Sequence, residues 1–167
     1  MNKRFFVTGE PGVGKTTLVL RVVERLATRY KVGGFYTPEV KWKNTRIGFK
    51  VVEIGGKREA WLAKVGEQKG AKFGRYTLVL EGALLAKEAL ERAVSECDLV
   101  VIDEIGPMEL AFQELKRAIE LVLKSEKRVL GVVHRSLAHE FPSVFFLTKQ
   151  NREQALRVAL ESLGECF

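Results

Sequence analysis

The sequence predicts an α/β fold in three layers: a mostly parallel central sheet, helices on both of its faces, and an inserted antiparallel hairpin or meander. Short β-prone runs alternate with amphipathic helical runs along the 167 residues, an order typical of parallel sheets covered by helices. Residues 99–102 are continuously apolar, as expected for a central strand buried on both faces. Polar turn residues separate 32–40 from 47–54, which favours an antiparallel pair.

The N-terminal half begins with a strand over residues 3–8, followed by a glycine-rich turn and a helix. The apolar positions of that helix recur at helical spacing, and they are Leu18, Val19, Val22, Val23 and Leu26. Residues 43–45 predict the turn of the hairpin, Gly55-Gly56 a second turn, and residues 59–63 a third strand of the meander. Residues 64–75 are polar and contain three glycines, which predicts a mobile loop beside whatever functional site the domain carries.

The C-terminal half continues the alternation of strands and helices. We expect a strand at 76–80, a helix at 83–94, the strand 99–102, a helix at 110–124, and strands at 129–133 and 144–147. The 110–124 helix has an apolar stripe of Phe112, Leu115, Ile119 and Val122. Asn151 with Gln154 predicts a capping box that opens the last helix, whose buried face is expected to contain Ala155, Leu156, Ala159 and Leu163. The whole chain, 1–167, is expected to be one domain.

A phosphate-binding loop is the strongest functional signal of the sequence. The pattern G-x-x-x-x-G-K-[ST] lies between a predicted strand and a predicted helix, which is the context that this motif requires. Its glycines let successive main-chain N–H groups turn toward an anion, and the helix N-terminus adds partial positive charge. Lys15 is expected to reach the β- and γ-phosphates, and the Thr16 hydroxyl to ligate Mg²⁺. The predicted binding residues are Gly9, Glu10, Pro11, Gly12, Val13, Gly14, Lys15, Thr16 and Thr17.

Two acidic residues, Asp103 and Glu104, follow the apolar run 99–102. This pattern predicts that Asp103 contacts Mg²⁺ and that Glu104 is the general base that polarises the attacking water. An alternative is that both acids have no role in the site and only stabilise the N-terminus of the helix that begins near Met108, where negative charge is favourable. Gly106 is expected to bring a main-chain N–H toward the γ-phosphate, or else to form a plain turn. We assign Asp103, Glu104, Ile105 and Gly106 to the nucleotide site.

Composition restricts location and partners. No stretch approaches the roughly 20 apolar residues that a membrane-spanning helix needs, so we expect a cytoplasmic protein that makes no membrane contact. Cys97 and Cys166 show neither metal-ligand spacing nor a secreted framework, which favours a reducing compartment. The formal net charge is +7. Lys and Arg occur in every segment, interleaved with Glu, so a solvated surface is the expected role and a nucleic-acid partner is the weaker alternative.

Five segments together resemble the thermophilic-type nucleoside-triphosphatases, a family that also includes the human cancer-related nucleoside triphosphatase. They are G-E-P-G-V-G-K-T-T at 9–17, G-F-Y-T-P-E-V at 34–40, R-I-G-F-K-V-V at 46–52, V-I-D-E-I-G-P-M-E-L at 101–110 and N-R at 151–152. The resemblance implies a P-loop α/β fold and slow Mg²⁺-dependent hydrolysis of ATP, GTP and other nucleoside triphosphates with little base selectivity. It also allows Asn151 and Arg152 to contact the base or ribose, although a helix cap explains Asn151 equally well.

Two positions depart from the family pattern, and several further residues are weaker candidates. Pro107 stands where the family usually has a basic residue, and Lys41 where it usually has arginine. If either position helps to neutralise the transferring phosphate, a lower rate is expected here, because lysine lacks the bidentate geometry of arginine. The weaker candidates, for which surface or structural roles remain open, are Thr37, Glu39, Lys41, Arg46, Arg75 and His134.

Three functions remain open from the sequence. The pair Asp103-Glu104 favours a hydrolase, because a hydrolase needs a group that activates water. A nucleotide or small-molecule kinase would need an acceptor pocket and an arginine-rich lid. A nucleotide-dependent switch that acts on RNA or protein would use the same phosphate site with hydrolysis as a timer. The sequence carries no signal for the oligomeric state.

Overall fold

A computed structural model describes residues 3–66 and 68–164, and ten strands form one sheet within them. The strands are β1 (Arg4–Thr8), β2 (Val32–Tyr36), β3 (Glu39–Trp42), β4 (Thr45–Ile54), β5 (Glu59–Val65), β6 (Lys72–Phe73), β7 (Tyr76–Leu78), β8 (Leu99–Ile105), β9 (Arg128–Val133) and β10 (Phe145–Phe146). The helices are α1 (Lys15–Leu26), α2 (Leu80–Glu96), α3 (Pro107–Leu110), α4 (Gln113–Lys124) and α5 (Arg152–Ser162), with a 3-10 helix at Arg135–Glu140.

The sheet has a parallel half and an antiparallel half that meet at β2. Its order is β10-β1-β9-β8-β2-β4-β5-β7-β6, and β3 pairs with β4 outside this path. The strands from β10 to β2 run parallel, whereas β3 to β7 pair in antiparallel fashion. The predicted parallel sheet with an antiparallel insertion is therefore confirmed. The insertion, residues 39–78, continues the same sheet, and we call it the antiparallel extension.

Helices cover the sheet on two sides, as the alternation of elements predicted. Buried residues of α2 and α4 form one core cluster against β8, β9 and the antiparallel extension, and buried residues of α1 and α5 form the other against β1, β8 and β9. The predicted apolar stripes of α4 and α5 are buried, as are four of the five predicted positions of α1. Val23 is only partly buried. No helix in the described part of the chain is long and apolar enough to span a membrane.

Two adjacent glycines let β2 lie close to its neighbours. Gly34 has φ +116°, and a Cβ there would lie 2.0 Å from the carbonyl oxygen of Val101 on β8. A Cβ on Gly33 would lie 2.8 Å from Cys97 Sγ, beneath the C-terminal end of α2. The chain can join its two half-sheets at β2 because neither position carries a side chain.

Several predicted boundaries are wrong. Residues 32–40 form two strands rather than one, because Pro38 has no N–H to donate to a ladder and separates β2 from β3. The apolar strand does not end before the acids, since β8 continues to Ile105, which pairs with Val133. Residues 64–75 contain the two-residue strand β6, which is too short to show alternation in the sequence; Glu67 of that segment lies outside the described residues.

The start of two helices also differs from prediction. The predicted 110–124 helix is divided into α3 and α4, because Phe112 is extended at their junction. The predicted capping box is not formed: Asn151 occupies the N-cap position of α5, but its side chain makes no cap hydrogen bond. Instead its Oδ1 accepts from the main-chain N–H of Thr148 at 2.8 Å, and its Nδ2 donates to the carbonyl of Phe146 at 3.0 Å.

One of the two cysteines, Cys97, lies in the described part of the chain. Cys97 is buried beside β2 as a free thiol, and burial raises its pKa. Cys166 lies outside the described residues.

Candidate nucleotide site

The candidate site lies at the edge of the sheet where the parallel strands end. In register, Tyr36 of β2 and Val132 of β9 flank Asp103 of β8, and Val132 also pairs with Val7 of β1. Because parallel strands place their carboxyl ends together, the segments that follow β1, β2, β8 and β9 meet at this edge. The two strongest motifs of the sequence follow β1 and end β8, so the fold brings them together.

The loop between β1 and α1 has the backbone of an anion cradle. Gly9, Gly12 and Gly14 have φ of 155°, 77° and 109°, values that are open to glycine but costly for other residues. Gly14 is the N-cap of α1, and the first turn of α1 contains no acidic residue, so its free N–H groups keep their partial positive charge. Lys15 Nζ folds over the loop and donates to the carbonyl oxygens of Gly9 at 2.7 Å and Glu10 at 3.1 Å.

Two hard oxygen donors from the two motifs are in direct contact. Thr16 Oγ1 donates to Asp103 Oδ2 at 2.7 Å, so the hydroxyl and the carboxylate meet at one point at the base of the loop. Thr37 Oγ1 donates to the main-chain carbonyl of Asp103 at 2.9 Å and fixes the end of β8 against the end of β2. Hydroxyl and carboxylate oxygens are ligands that suit Mg²⁺.

The described residues contain no cluster of three or more His, Cys, Asp or Glu side chains that could hold a metal ion. Mg²⁺ in nucleotide sites is commonly bound through one or two protein groups, together with phosphate oxygens and water. The pair Thr16 and Asp103 fits that kind of site better than an all-protein metal cage.

Three carboxyl groups crowd the end of β8, and burial raises the pKa of each. Burial raises the pKa of Asp103 to about 7, with the nearby Glu104 charge adding to the effect and the Thr16 hydrogen bond opposing it. Burial also raises the pKa of Glu104, while His134 and Lys15 oppose the rise. Groups with environments of this kind are common at functional sites.

Glu109 is a third acidic residue at this edge, and sequence reasoning did not select it. It is 4% exposed. Burial raises its pKa well above its ordinary value, and the charges of Glu104 and Asp103 raise it further. A Cβ on Gly106 would lie 2.9 Å from Glu109 Oε1 and 3.3 Å from Glu104 Oε1, so Gly106 leaves room for both carboxyl groups. The only sequence signal was the position of Glu109 within the 101–110 segment.

The residues that follow β9 line the cleft beside the phosphate loop. The main-chain N–H of His134 donates to the carbonyl of Ile105 at 2.9 Å. His134 Nδ1 lies 2.8 Å from Ser136 Oγ and accepts from the Ser136 main-chain N–H, which leaves Nε2 free of this turn. Arg135 forms an ion pair with Glu10 of the loop. That pair joins the segment after β9 to the loop, and no local pattern in the sequence marks it.

A cleft of about 820 Å³ connects the phosphate loop with the antiparallel extension. Lys15, Thr16, Asp103 and Glu104 line one end of it. The other end is lined by residues of the antiparallel extension and its approach, which are Thr37, Pro38, Glu39, Lys41, Arg46, Phe49, Phe73 and Tyr76. The cleft is therefore much larger than the space that a single attacking water requires.

The cationic candidates of the antiparallel extension are engaged within the protein. Arg46 Nε lies 2.8 Å from Glu39 Oε2, and Lys41 Nζ lies 3.2 Å from Glu39 Oε1. Arg75 Nη2 donates to the carbonyl of Arg46 at 2.7 Å. Of these, Glu39, Lys41 and Arg46 line the cleft. They stand across it from Lys15, so the structure brings them to the same cleft but not to the loop.

Asn151 and Arg152 lie behind the loop rather than in the cleft. Arg152 Nε and Nη2 donate to the carbonyl of Val13 at 3.0 and 2.8 Å, and its guanidinium group lies beneath Gly14. Asn151 holds the segment before α5 through its contacts to Thr148 and Phe146. Both side chains support the loop region, and a contact of either with the base or ribose stays a prediction.

Comparison with known proteins gives consistent results over almost the whole chain. A family model described as NTPase matches residues 4–160. The nucleoside-triphosphatase THEP1 of Sulfurisphaera tokodaii is 39% identical over 152 residues, which are 90% of this chain and 89% of the relative. The crystal structure of THEP1 from Aquifex aeolicus matches with a TM-score of 0.82 at 29% identity, and covers 97% of this chain and 99% of that one. The solution structure of a human cancer-related nucleoside triphosphatase matches with a TM-score of 0.76 at 30% identity, over 95% and 96%.

Proposed function

The chain belongs to the nucleoside-triphosphatase family, and we propose that it hydrolyses nucleoside triphosphates to the diphosphate and phosphate in a Mg²⁺-dependent reaction. The observation that carries the proposal is the 2.7 Å contact between Thr16 Oγ1 and Asp103 Oδ2. It joins the phosphate loop to the acidic end of β8, directly beside Lys15 at the start of α1.

Substrate binding is assigned to the loop and to the first turn of α1. The main-chain N–H groups of residues 9–17 would bind the β- and γ-phosphate oxygens, because they lie in a glycine-rich turn at a helix N-terminus. Lys15 would exchange its two carbonyl contacts for phosphate oxygens and supply a positive charge there. Ile105 and Gly106 would border the γ-phosphate from the end of β8.

Thr16 and Asp103 would hold Mg²⁺, with the remaining ligands supplied by phosphate oxygens and water. Bound there, the ion would neutralise charge that accumulates on the phosphates. The buried position of Asp103 supports this role, because burial raises its pKa in the metal-free protein and a cation beside it favours the ionised form.

Glu104 is assigned as the general base. Its half-buried carboxyl group lines the cleft next to Asp103. It would take a proton from a water molecule as the water oxygen bonds to the γ-phosphorus and the bond from that phosphorus to the bridging oxygen breaks. The β-phosphate then leaves with the electron pair of that bond, and Lys15 stabilises the added charge.

Broad base selectivity follows from where the assigned contacts lie. Every group that we assign to catalysis or metal binding faces the triphosphate, which ATP, GTP, CTP and UTP share. Asn151 and Arg152, the predicted contacts to the base or ribose, are held in contacts within the protein. ATP and GTP are therefore proposed as comparable substrates. A single domain over 1–167 and a cytoplasmic location are retained as proposals from the sequence.

Phosphoryl transfer to an acceptor other than water is the second candidate. The cleft of about 820 Å³ favours it, because it offers space beside Glu104 and a cationic wall at Lys41 and Arg46. The adjacent glutamate favours water, since a kinase mainly needs to position an acceptor. Nucleoside monophosphates and an oligonucleotide with a free 5′-hydroxyl are suitable acceptor probes.

The substitution Glu104→Gln tests the assignment. We expect the variant to bind Mg²⁺ and nucleotide nearly as wild type does, and to release phosphate about tenfold more slowly or worse, because an amide cannot take the proton. Phosphate release would be measured with each of the four nucleotides, with Mg²⁺ and with a chelator, and with the acceptor probes. Glu120→Gln, an exposed position on α4, is the matched control. An unchanged turnover number in Glu104→Gln would remove Glu104 from the mechanism.

A further inference from the structure

The antiparallel extension is strongly basic. Residues 39–78 contain ten Lys or Arg against four Asp or Glu, a net charge of +6, whereas the whole chain has 28 against 21, or +7. The remainder of the molecule is therefore almost neutral. That sum combines two opposite regions, because residues 1–38 have seven Lys or Arg against two Glu, whereas residues 79–167 have 11 Lys or Arg against 15 Asp or Glu. Three of the four acids of the extension are also in salt bridges with its own Lys or Arg residues, and they are Glu39, Glu53 and Glu59.

One face of β4 and β5 carries no helix. Val51 of β4 and Leu62 of β5 are fully buried in the core cluster formed with α2. Because side chains alternate along a strand, Lys50 lies on the opposite face of the sheet from Val51. Trp61 stands directly opposite Lys50 in the strand register and shares that face. The second group of helices packs on β1, β8 and β9 instead.

This open face combines an indole ring with two ammonium groups. Lys50 Nζ lies 5.1 Å and Lys64 Nζ 4.7 Å from the centroid of the Trp61 ring. The ring lies against Gly48, where a Cβ would be 2.9 Å from Trp61 Cζ3. Among the described residues no carboxylate forms a salt bridge with Lys64. We call Lys50, Trp61 and Lys64 the cationic aromatic face.

Two further pairs of a cation and an aromatic ring lie at the cleft, on the other face of β4, which Phe49 shares with Val51. Arg46 lies 5.3 Å from the ring centroid of Phe49, and Arg75 lies 5.2 Å from that of Tyr76. Phe49 and Tyr76 both line the cleft, and their rings contact each other at a centroid distance of 5.5 Å. At the tip of the β3–β4 hairpin, Trp42 is 65% exposed.

We propose that the cationic aromatic face binds single-stranded nucleic acid. Two lysine ammonium groups beside an aromatic ring match a chain in which phosphates alternate with planar bases. Unpaired bases are the favoured partner, because a base in a duplex is stacked and does not offer its face to a side chain. The proposal does not depend on hydrolysis, so each can fail without the other.

Oligonucleotide binding tests the proposal with two matched pairs of substitutions. The probe is a labelled single strand of about 15 nucleotides, its affinity measured by fluorescence anisotropy over a range of salt concentrations. The double variant Lys50→Gln and Lys64→Gln is compared with the control Lys116→Gln and Arg117→Gln, which removes the same charge from the exposed surface of α4. The test pair should weaken binding about tenfold and reduce the salt slope by about 1.4, the value for two phosphate contacts. The control should change affinity less than about twofold.

A second measurement does not depend on any change in the lysines. The chain has two tryptophans, so Trp42→Phe leaves Trp61 as the only source of tryptophan fluorescence. A single strand should quench that emission by stacking on the ring, and a duplex of the same sequence should not. Basal phosphate release and urea denaturation of every variant show whether it is folded.

Four results would overturn the proposal. One is the absence of oligonucleotide binding at about 50 mM salt. The second is an equal loss of affinity in the test and control pairs, which would indicate a general charge effect. Duplex binding as tight as that of the single strand, without a change in Trp61 emission, is the third. The fourth is tighter binding to phosphatidylserine vesicles than to the oligonucleotide, which would assign the face to anionic membranes.

Discussion

Replacement of Asp103 by asparagine should stabilise the metal-free protein while it removes the proposed function. Asp103 is 3% exposed, and burial raises its pKa from 3.8 to about 7. A shift of about three pKa units corresponds to about 4 kcal/mol, the cost of keeping this carboxylate ionised in the folded chain above pH 7. Asparagine has similar volume, carries no charge, and its Oδ1 can accept the Thr16 hydrogen bond.

The pH dependence has a definite sign. Below the pKa of the unfolded state both states are protonated, and Asp103 contributes nothing. Between that value and about 7 the folded protein retains a proton that the unfolded chain has lost, so wild-type stability falls as pH rises. The variant should therefore exceed wild type in unfolding free energy by up to about 4 kcal/mol near pH 8, and by less than about 2 kcal/mol near pH 5.

Urea denaturation in the presence of a chelator measures this difference. Adding Mg²⁺ and nucleotide should then stabilise wild type by mass action, and Asp103→Asn much less, because the variant has lost a charged ligand. A variant that is less stable than wild type at both pH values would contradict the assigned cost of burying ionised Asp103. So would a difference in stability that is the same at the two pH values.

Three further predictions concern the sheet, a buried ion pair and the loop. Gly34→Ala should cost more than about 3 kcal/mol of unfolding free energy through the clash with β8, whereas Gly74→Ala, where a Cβ meets nothing within 4 Å, should cost about 1 kcal/mol. Glu53→Gln should cost about 2 kcal/mol at pH 7. Its ion pair with Arg58 lowers the Glu53 pKa. The stability that this pair contributes to wild type should therefore be lost as the pH falls below the pKa of an ordinary glutamate, and the urea curves of wild type and Glu53→Gln should converge there. Arg152→Ala should weaken nucleotide binding a few-fold by calorimetry and Arg152→Lys less so, whereas equal affinities would show that this anchor does not organise the loop.

The parts of the fold that follow from short-range patterns were predictable. The G-x-x-x-x-G-K-[ST] loop fixes Gly12, Gly14 and Lys15 relative to one another through the backbone alone, so its place between β1 and α1 agrees with the sequence. The apolar stripes of α4 and α5 predicted their buried faces because each is set by the 3.6-residue period. Antiparallel pairing of β3 with β4 was visible from the turn between them.

Features that depend on long-range contacts were not predictable in the same way. Arg135 pairs with Glu10 across 125 positions, and nothing local marks either residue. The capping box at Asn151 was a sound local pattern, but the loop before α5 offered the same side chain two other partners. Glu109 lies on a short helix that packs against β8 and α4, so its burial could not be inferred from periodicity.

The distribution of charge relates the two proposals physically. A site that holds a triphosphate needs positive charge near the phosphates, and the loop supplies it through Lys15 and the N-terminus of α1. A second excess of cations lies on the antiparallel extension, where only Lys41 and Arg46 of the ten Lys and Arg residues line the cleft. At physiological ionic strength the field of exposed charges decays within about 8 Å, so most of the extension contributes little to nucleotide binding. A polyanion that extends beyond the cleft is the ligand that such a surface would retain.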